Sequence, residues 1–202
     1  FDFEGDRRMR AAMEGLNALE ENVDCMVVIP NQNLFRVIDS KTTFAEAFAR
    51  ADGVLYQAIR SVTDLIVLPG LINLDFADVK TVMQCRGRAM MGVGEASGPN
   101  RAVQAAEDAI FNPLLDISSI RGAEGVLINI TGGGNMTLIE VDEATNRVRK
   151  EIDPESLIIF GSTFDASLED AMRVTVTATG LRTPAPASAP AALPLFGADD
   201  AV

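Results

Sequence analysis

The chain has 202 residues, 48% of them hydrophobic and 23% charged, with a formal net charge of −12. That composition describes one or two globular domains with enough apolar residues for a core. The acidic balance argues against bulk nucleic acid or an anionic membrane surface as a partner. No apolar run approaches the ~18 residues that span a bilayer, and the opening stretch does not read as a secretory signal. Histidine is absent, which removes the usual general base, the usual zinc ligand and any triad built on imidazole. Cys25 and Cys85 are the two cysteines, read as reduced cytosolic thiols. Chemistry here falls to carboxylates, backbone groups or a metal.

The chain starts at Phe1 rather than Met and reads as a piece of something longer. FDFEG looks like the end of a strand entering a helix. Residues 6–23 form an amphipathic helix, with Met9, Met13, Leu16 and Leu19 at helical spacing. Residues 25–29 are a short buried strand closed by Pro30. The longest periodic segment is 43–66, where Phe44, Ala47, Phe48, Ala51, Leu55, Ile59, Val62 and Ile66 make one stripe. Thr43 and Glu46 form a capping box at its start, and Pro69-Gly70 end it. At 1.5 Å per residue it spans roughly 35 Å, enough to join two lobes.

A short helix covers 76–84. Strand and helix then alternate: strand 87–94, helix 100–111, strand 125–131, helix 137–150, and closing strands 157–162 and 173–179. Thr137 and Glu140 repeat the capping box. The order implies a mixed sheet with helices on one face. From about Thr183 the sequence is Ala/Pro-rich and reads as a disordered linker.

Three constellations invite a chemical reading. In GLINLDFADVKTVM (70–83), Asp75 and Asp78 are three apart and share one face of a first helical turn. They are good N-terminal caps. Alternatively they orient a water, with Asn73 as a hydrogen-bond partner, or hold Mg²⁺ through water. TGGGN (131–135) sits between a strand and a helix, where phosphate loops occur. It lacks the Lys-Ser/Thr of a P-loop and reads better as a tight turn. Phe48 and Asp52 at i and i+4 are either a core ring and a solvated acid, or a purine clamp. In the clamp, the ring stacks on a base and the carboxylate accepts the adjacent N–H groups of guanine, a donor pair adenine lacks. Glu4 and Arg8 make a default surface ion pair, and Asn31 a default turn residue.

The ordered series FDFEGDRR, VIPNQNL, AFARADGVL, GLINLDFADVKTVM, GRAMMGVGEASGPNRA, GVLINITGGGNMTL and VTVTATGL closely resembles FtsZ, the bacterial tubulin-like cell-division GTPase family. The resemblance covers residues 1 to about 181. It implies an α/β fold: the end of a tubulin-like nucleotide-binding lobe (1–42), a long central helix (43–68), a smaller α+β C-terminal lobe with a mixed four-stranded sheet (69–181) and a linker (182–202). It implies GTP/GDP and Mg²⁺ as ligands, with Glu4, Arg8, Asn31, Phe48 and Asp52 on guanine and ribose. It makes 70–83 the catalytic loop, with Asn73, Asp75 and Asp78 reaching the GTP of the next subunit in a head-to-tail homopolymer. The implied setting is the cytoplasmic division site, among membrane-anchoring and regulatory division proteins, with no nucleic acid and no membrane insertion. The family's glycine-rich phosphate loop lies upstream of the matching stretch and is not in this chain. Gly53 and Gln32 stand where many relatives carry Asn and Asp. Two other readings are a non-catalytic fragment that binds or caps filaments, and a small α/β enzyme using paired carboxylates on another substrate.

Overall fold

The computed structural model describes residues 1–29, 31–36, 42–68, 70–85, 87–112 and 120–181. The expected linker from 182 and the prolines expected to close the first strand and the long helix (Pro30, Pro69) lie outside these residues. Five strands form one sheet: β1 (Cys25–Val27), β2 (Gly87–Ser97), β3 (Gly125–Gly132), β4 (Leu157–Phe164) and β5 (Ala171–Leu181), in the order β1-β2-β5-β3-β4. The inner β2-β5 and β5-β3 pairs are antiparallel, and the outer β1-β2 and β3-β4 pairs are parallel. The four strands expected of the C-terminal part are all present. Cys25–Val27 adds a fifth by pairing with Gly87–Ala89.

Helices cover both faces of this sheet, where one was expected. The reason is the alternation in β3, whose eight residues are all buried. Val126, Ile128 and Ile130 join one cluster with α4 (Arg101–Ile110) and α5 (Leu138–Arg149). Ala102, Ala105, Ala106 and Ala109 give α4 a flat face that lets it lie close to the sheet. Leu127 points the other way, against Leu65 of α2 (Phe44–Val67) and Val79 and Val82 of α3 (Phe76–Met83). Polar contacts add to this second layer. The Asn129 amide donates to the Ser61 carbonyl of α2 at 2.9 Å, and the Thr179 hydroxyl donates to the Val82 carbonyl of α3 at 2.9 Å.

The expected stripe on α2 is largely not what meets the sheet. Ser61 and Leu65 are buried, while Phe44, Leu55, Ile59 and Ile66 are exposed. Of the expected stripe, Val62 packs beside Leu65 against the sheet-side cluster, while most of the other described members point away from it. Likewise α1 (Asp6–Glu20) is helical as its periodicity predicts, but none of its residues is buried. FDFEG is not a strand end: Asp2–Glu4 form a single 3₁₀ turn.

Arg101 ties α4, α5 and the β4-β5 connection together. Its guanidinium donates to both carboxylate oxygens of Glu140 (2.7 and 3.0 Å), to Asn135 Oδ1 (3.1 Å) and to the Asp170 carbonyl (2.8 Å). Those bonds from Arg101, with further bonds from Thr137, hold the Glu140 carboxyl down at about 2 from an ordinary 4.5. Replacing the arginine strands a mostly buried carboxylate, so Arg101→Met is expected to cost about 3 kcal/mol in urea unfolding at neutral pH. A depressed carboxyl contributes stability above its unfolded value and loses it as pH falls through its folded one. The gap between parent and variant should therefore narrow as pH drops from 4.5 towards 2. Separately, Val27 and Leu55 are partly exposed and Ile59 is 71% exposed. The chain should enhance the fluorescence of a hydrophobic dye, and Leu55→Lys with Ile59→Lys should reduce that signal.

Candidate functional site

From Gly70 the chain runs along the open edge of β4, the last strand of the sheet. Ile72 forms an isolated antiparallel bridge with Ser162. Extended backbone turns successive side chains to opposite sides. Ile72 and Leu74 are half-buried against the two apolar clusters, while Asn73 and Asp75 are exposed. The apolar residues in INLD are thus what turn its polar residues outward.

Asp75 then caps α3. Its Oδ1 accepts the Asp78 N–H at 2.9 Å, and Asp78 Oδ2 accepts the Asp75 N–H at 3.4 Å. Two otherwise orphan donors of the first turn are satisfied reciprocally. Each carboxylate commits one oxygen to the cap, and both side chains are exposed. Asn73 Oδ1 accepts the Gly70 N–H at 2.9 Å, leaving its amide nitrogen as the group to offer outward. The structure therefore brings Asn73, Asp75 and Asp78 onto one exposed ledge. Among the described residues no cluster of three or more acidic or cysteine side chains converges as a protein-made metal cage would. Two carboxylates fit Mg²⁺, which keeps several waters and takes one or two carboxylates beside phosphate oxygens.

The other five candidates gather at the opposite end of α2. Glu4 pairs with Arg8 at 3.5 Å. The Phe1 ring lies 5.6 Å from Phe48 and 5.7 Å from Phe35, both edge-on. The Phe44 ring is 4.6 Å from Phe48. Phe48 is thus neither a core ring nor an isolated one but part of a half-open aromatic group. Asn31 lies in the 3₁₀ stretch Asn31–Arg36, tied to the first turn by the Asp2 N–H donating to Gln32 Oε1 at 3.1 Å. Asp52 is exposed one turn beyond Phe48 on α2. From Phe48 to Val67 the helix rises about 28 Å, so no single copy brings the two groups onto one ligand.

TGGGN is a structural turn. The Asn135 amide donates to Asp170 Oδ1 at 2.6 Å, and its carbonyl oxygen accepts from Arg101. The Thr131 and Thr163 hydroxyls pair at 3.0 Å. Sequence reasoning missed Gly161-Ser162, the seat of the acidic loop. Its signal was the glycine inside LIIFGS, since glycine within a strand marks close approach by another segment. A Cβ at Gly161 would meet Leu65 Cδ2 at 2.6 Å and Leu74 Cγ at 3.1 Å.

Comparison with known proteins agrees with this architecture. The FtsZ family, C-terminal domain, matches residues 87–182. The cell division protein FtsZ of Magnetospirillum gryphiswaldense is 62% identical over 93% of this chain and 33% of its own length. That of Wolbachia pipientis is 62% identical over 90% of this chain and 58% of its own. The chain thus spans from about a third to just over half of these relatives. An empty FtsZ dimer structure from M. jannaschii superposes with a TM-score of 0.82 at 44% identity, covering 89% of this chain and 52% of the other. TubZ of Bacillus thuringiensis serovar israelensis, solved as GDP-form protofilaments, shares the fold alone, with a TM-score of 0.63 at 12% identity over 80% of this chain and 43% of the other. Among the described residues no helix is long and apolar enough to cross a membrane. With a relative 62% identical over 93% of this chain, a matching domain profile and a shared tubulin-like α/β architecture, this chain belongs to the FtsZ family.

Proposed function

We propose that this chain is part of a tubulin-like GTPase that polymerises head-to-tail into the filaments of the cell-division ring, in the cytoplasm at the division site. In this reading it carries the acidic loop that completes GTP hydrolysis on a neighbouring subunit. The observation that carries it is the separation along α2: a candidate base-binding group at one end and the acidic ledge beyond the other, with about 28 Å of helix between Phe48 and Val67. A ledge that cannot reach its own chain's base-binding end can reach a neighbour's, and a head-to-tail contact that does not close into a ring gives a filament. The empty FtsZ dimer from M. jannaschii supports self-association as the relevant state.

The chemistry asked of the chain is modest. At one end Phe48 stacks on guanine, Asp52 accepts from its N–H pair, and Glu4, Arg8 and Asn31 hold the ribose side. At the other, the uncommitted carboxylate oxygens of Asp75 and Asp78 accept the hydrogens of a water and aim its oxygen in line with the γ-phosphorus. Asn73 contributes its amide N–H. As the new P–O bond forms, the bridging P–O bond breaks, GDP departs, and a carboxylate takes the water's proton late. Mg²⁺, when bound, offsets phosphate charge.

The test uses a full-length FtsZ in which residues 1–181 of this chain replace the matching segment of the M. gryphiswaldense protein. Asp75→Asn and Asp78→Asn should each lower GTP turnover by about 10²-fold or more while sedimentable filaments still form. Asn caps a helix about as well as Asp, whereas Asp75→Ala should also cost about 1 kcal/mol of stability. Asp75→Asn therefore separates chemistry from capping, and full turnover by it overturns the reading. Mixing Asp75→Asn with Asp52→Ala provides a second check. A random filament pairs an intact ledge with an intact base site at about a quarter of its contacts, so the mixture should turn over faster than either variant alone. A chimera that caps filaments without hydrolysing GTP would instead favour the non-catalytic reading.

A further inference from the structure

The acidic loop hangs from one residue. Ser162 is fully buried in β4, at 0% exposure. Its N–H donates to the Ile72 carbonyl at 2.9 Å, and its Oγ accepts the Ile72 N–H at 3.0 Å. One serine therefore satisfies both backbone groups of Ile72. In a regular antiparallel pair a main-chain carbonyl would accept that N–H. Here the side-chain hydroxyl takes its place, while Gly70 presses on the Ser162 carbonyl so closely that a Cβ at Gly70 would sit 1.5 Å from its oxygen. Leu74, two residues on, lies over Gly161.

We propose that Ser162 is a positioning residue for hydrolysis. By fixing Ile72 it sets where Asn73, Asp75 and the capped start of α3 stand relative to the subunit's end. The proposal rests on the acidic-loop reading above. The Asp75–Asp78 cap is internal to α3, so it survives loss of the hydroxyl. What changes is the attachment. Without Oγ, the Ile72 N–H has no acceptor in the edge of β4, and the loop lifts to find water. The acids keep their mutual geometry and lose their aim. The nucleotide contacts, at the far end of α2, are untouched.

In the full-length chimera, Ser162→Ala should lower kcat about ten- to hundredfold, the scale of an ångström-sized misplacement. KM for GTP and filament yield should stay within about twofold, since the loss falls on the chemical step alone. Ser162→Thr keeps the hydroxyl and should restore turnover. Gly70→Ala, which displaces the loop with Ser162 intact, should reproduce the kcat loss by an independent route. Normal kcat in Ser162→Ala, alongside an inactive Asp75→Asn, overturns the positioning role and leaves the acidic-loop reading standing. A loss in Ser162→Thr equal to that in Ser162→Ala, or a matching fall in filament yield, also overturns it. Full turnover by Asp75→Asn overturns the acidic-loop reading, and this inference with it.

Discussion

Strand β3 is buried on both of its faces, and the helices after residue 44 are arranged to keep water from it. Its eight residues are all buried, which requires a layer of helices on each side. On one side the alanine face of α4 and the valines of α5 supply the cover. On the other, the end of α2 and the whole of α3 must do it, through Leu65, Val79 and Val82 around Leu127. Fixing the end of one helix and the body of the next leaves the connection between them little freedom. It has to cross the edge of β4, and it does so extended, with Ile72 and Leu74 inward. The exposure of Asn73 and Asp75 follows from core packing before any chemistry is asked of them.

The same economy applies to the acids themselves. A helix start needs acceptors for its orphan N–H groups, and Asp75 and Asp78 supply them reciprocally. Capping was the plain reading of this pair and chemistry the ambitious one, but the two do not compete for the same oxygens. The cap uses one oxygen per carboxylate and holds each side chain in a single orientation. That orientation would otherwise have to be imposed at the expense of binding energy. A water-orienting pair built on a helix cap is pre-organised by the backbone.

Local signals in the chain were readable where a single physical rule acted. The three capping boxes at Thr43, Asp75 and Thr137 appear where their side chains demand them. The strands and helices after residue 87 fall close to their periodicities. What was not readable depended on distant pairings. Cys25–Val27 joins the sheet through β2, sixty residues downstream, and nothing local announces that. The apolar stripe of α2 was visible, but not which side of the helix would meet the sheet. The choice is made by Leu127 and Asn129 of β3, which receive Leu65 and Ser61. Ser162 escaped notice because a serine at the end of an apolar strand has no pattern of its own. Its role exists only in relation to Ile72.

Charge sets a condition on the proposed assembly. The chain carries a net −12, and in the proposed filament its acidic ledge approaches a triphosphate. Two like unit charges 4 Å apart near a protein surface repel by about 4 kcal/mol. Carboxylate against phosphate therefore cannot drive the contact; it must be overcome by apolar burial elsewhere in the interface and by cations between the charges. Phe76 lies beside the ledge at 65% exposed and Leu71 just before it at 44%, so the ledge carries its own apolar rim. A contact held by a rim around mutually repelling charges depends on the γ-phosphate at its centre and on the counter-ions that it recruits. Cleavage and departure of that phosphate change the charge at its centre, which gives hydrolysis a direct electrostatic route to altering the strength of the filament.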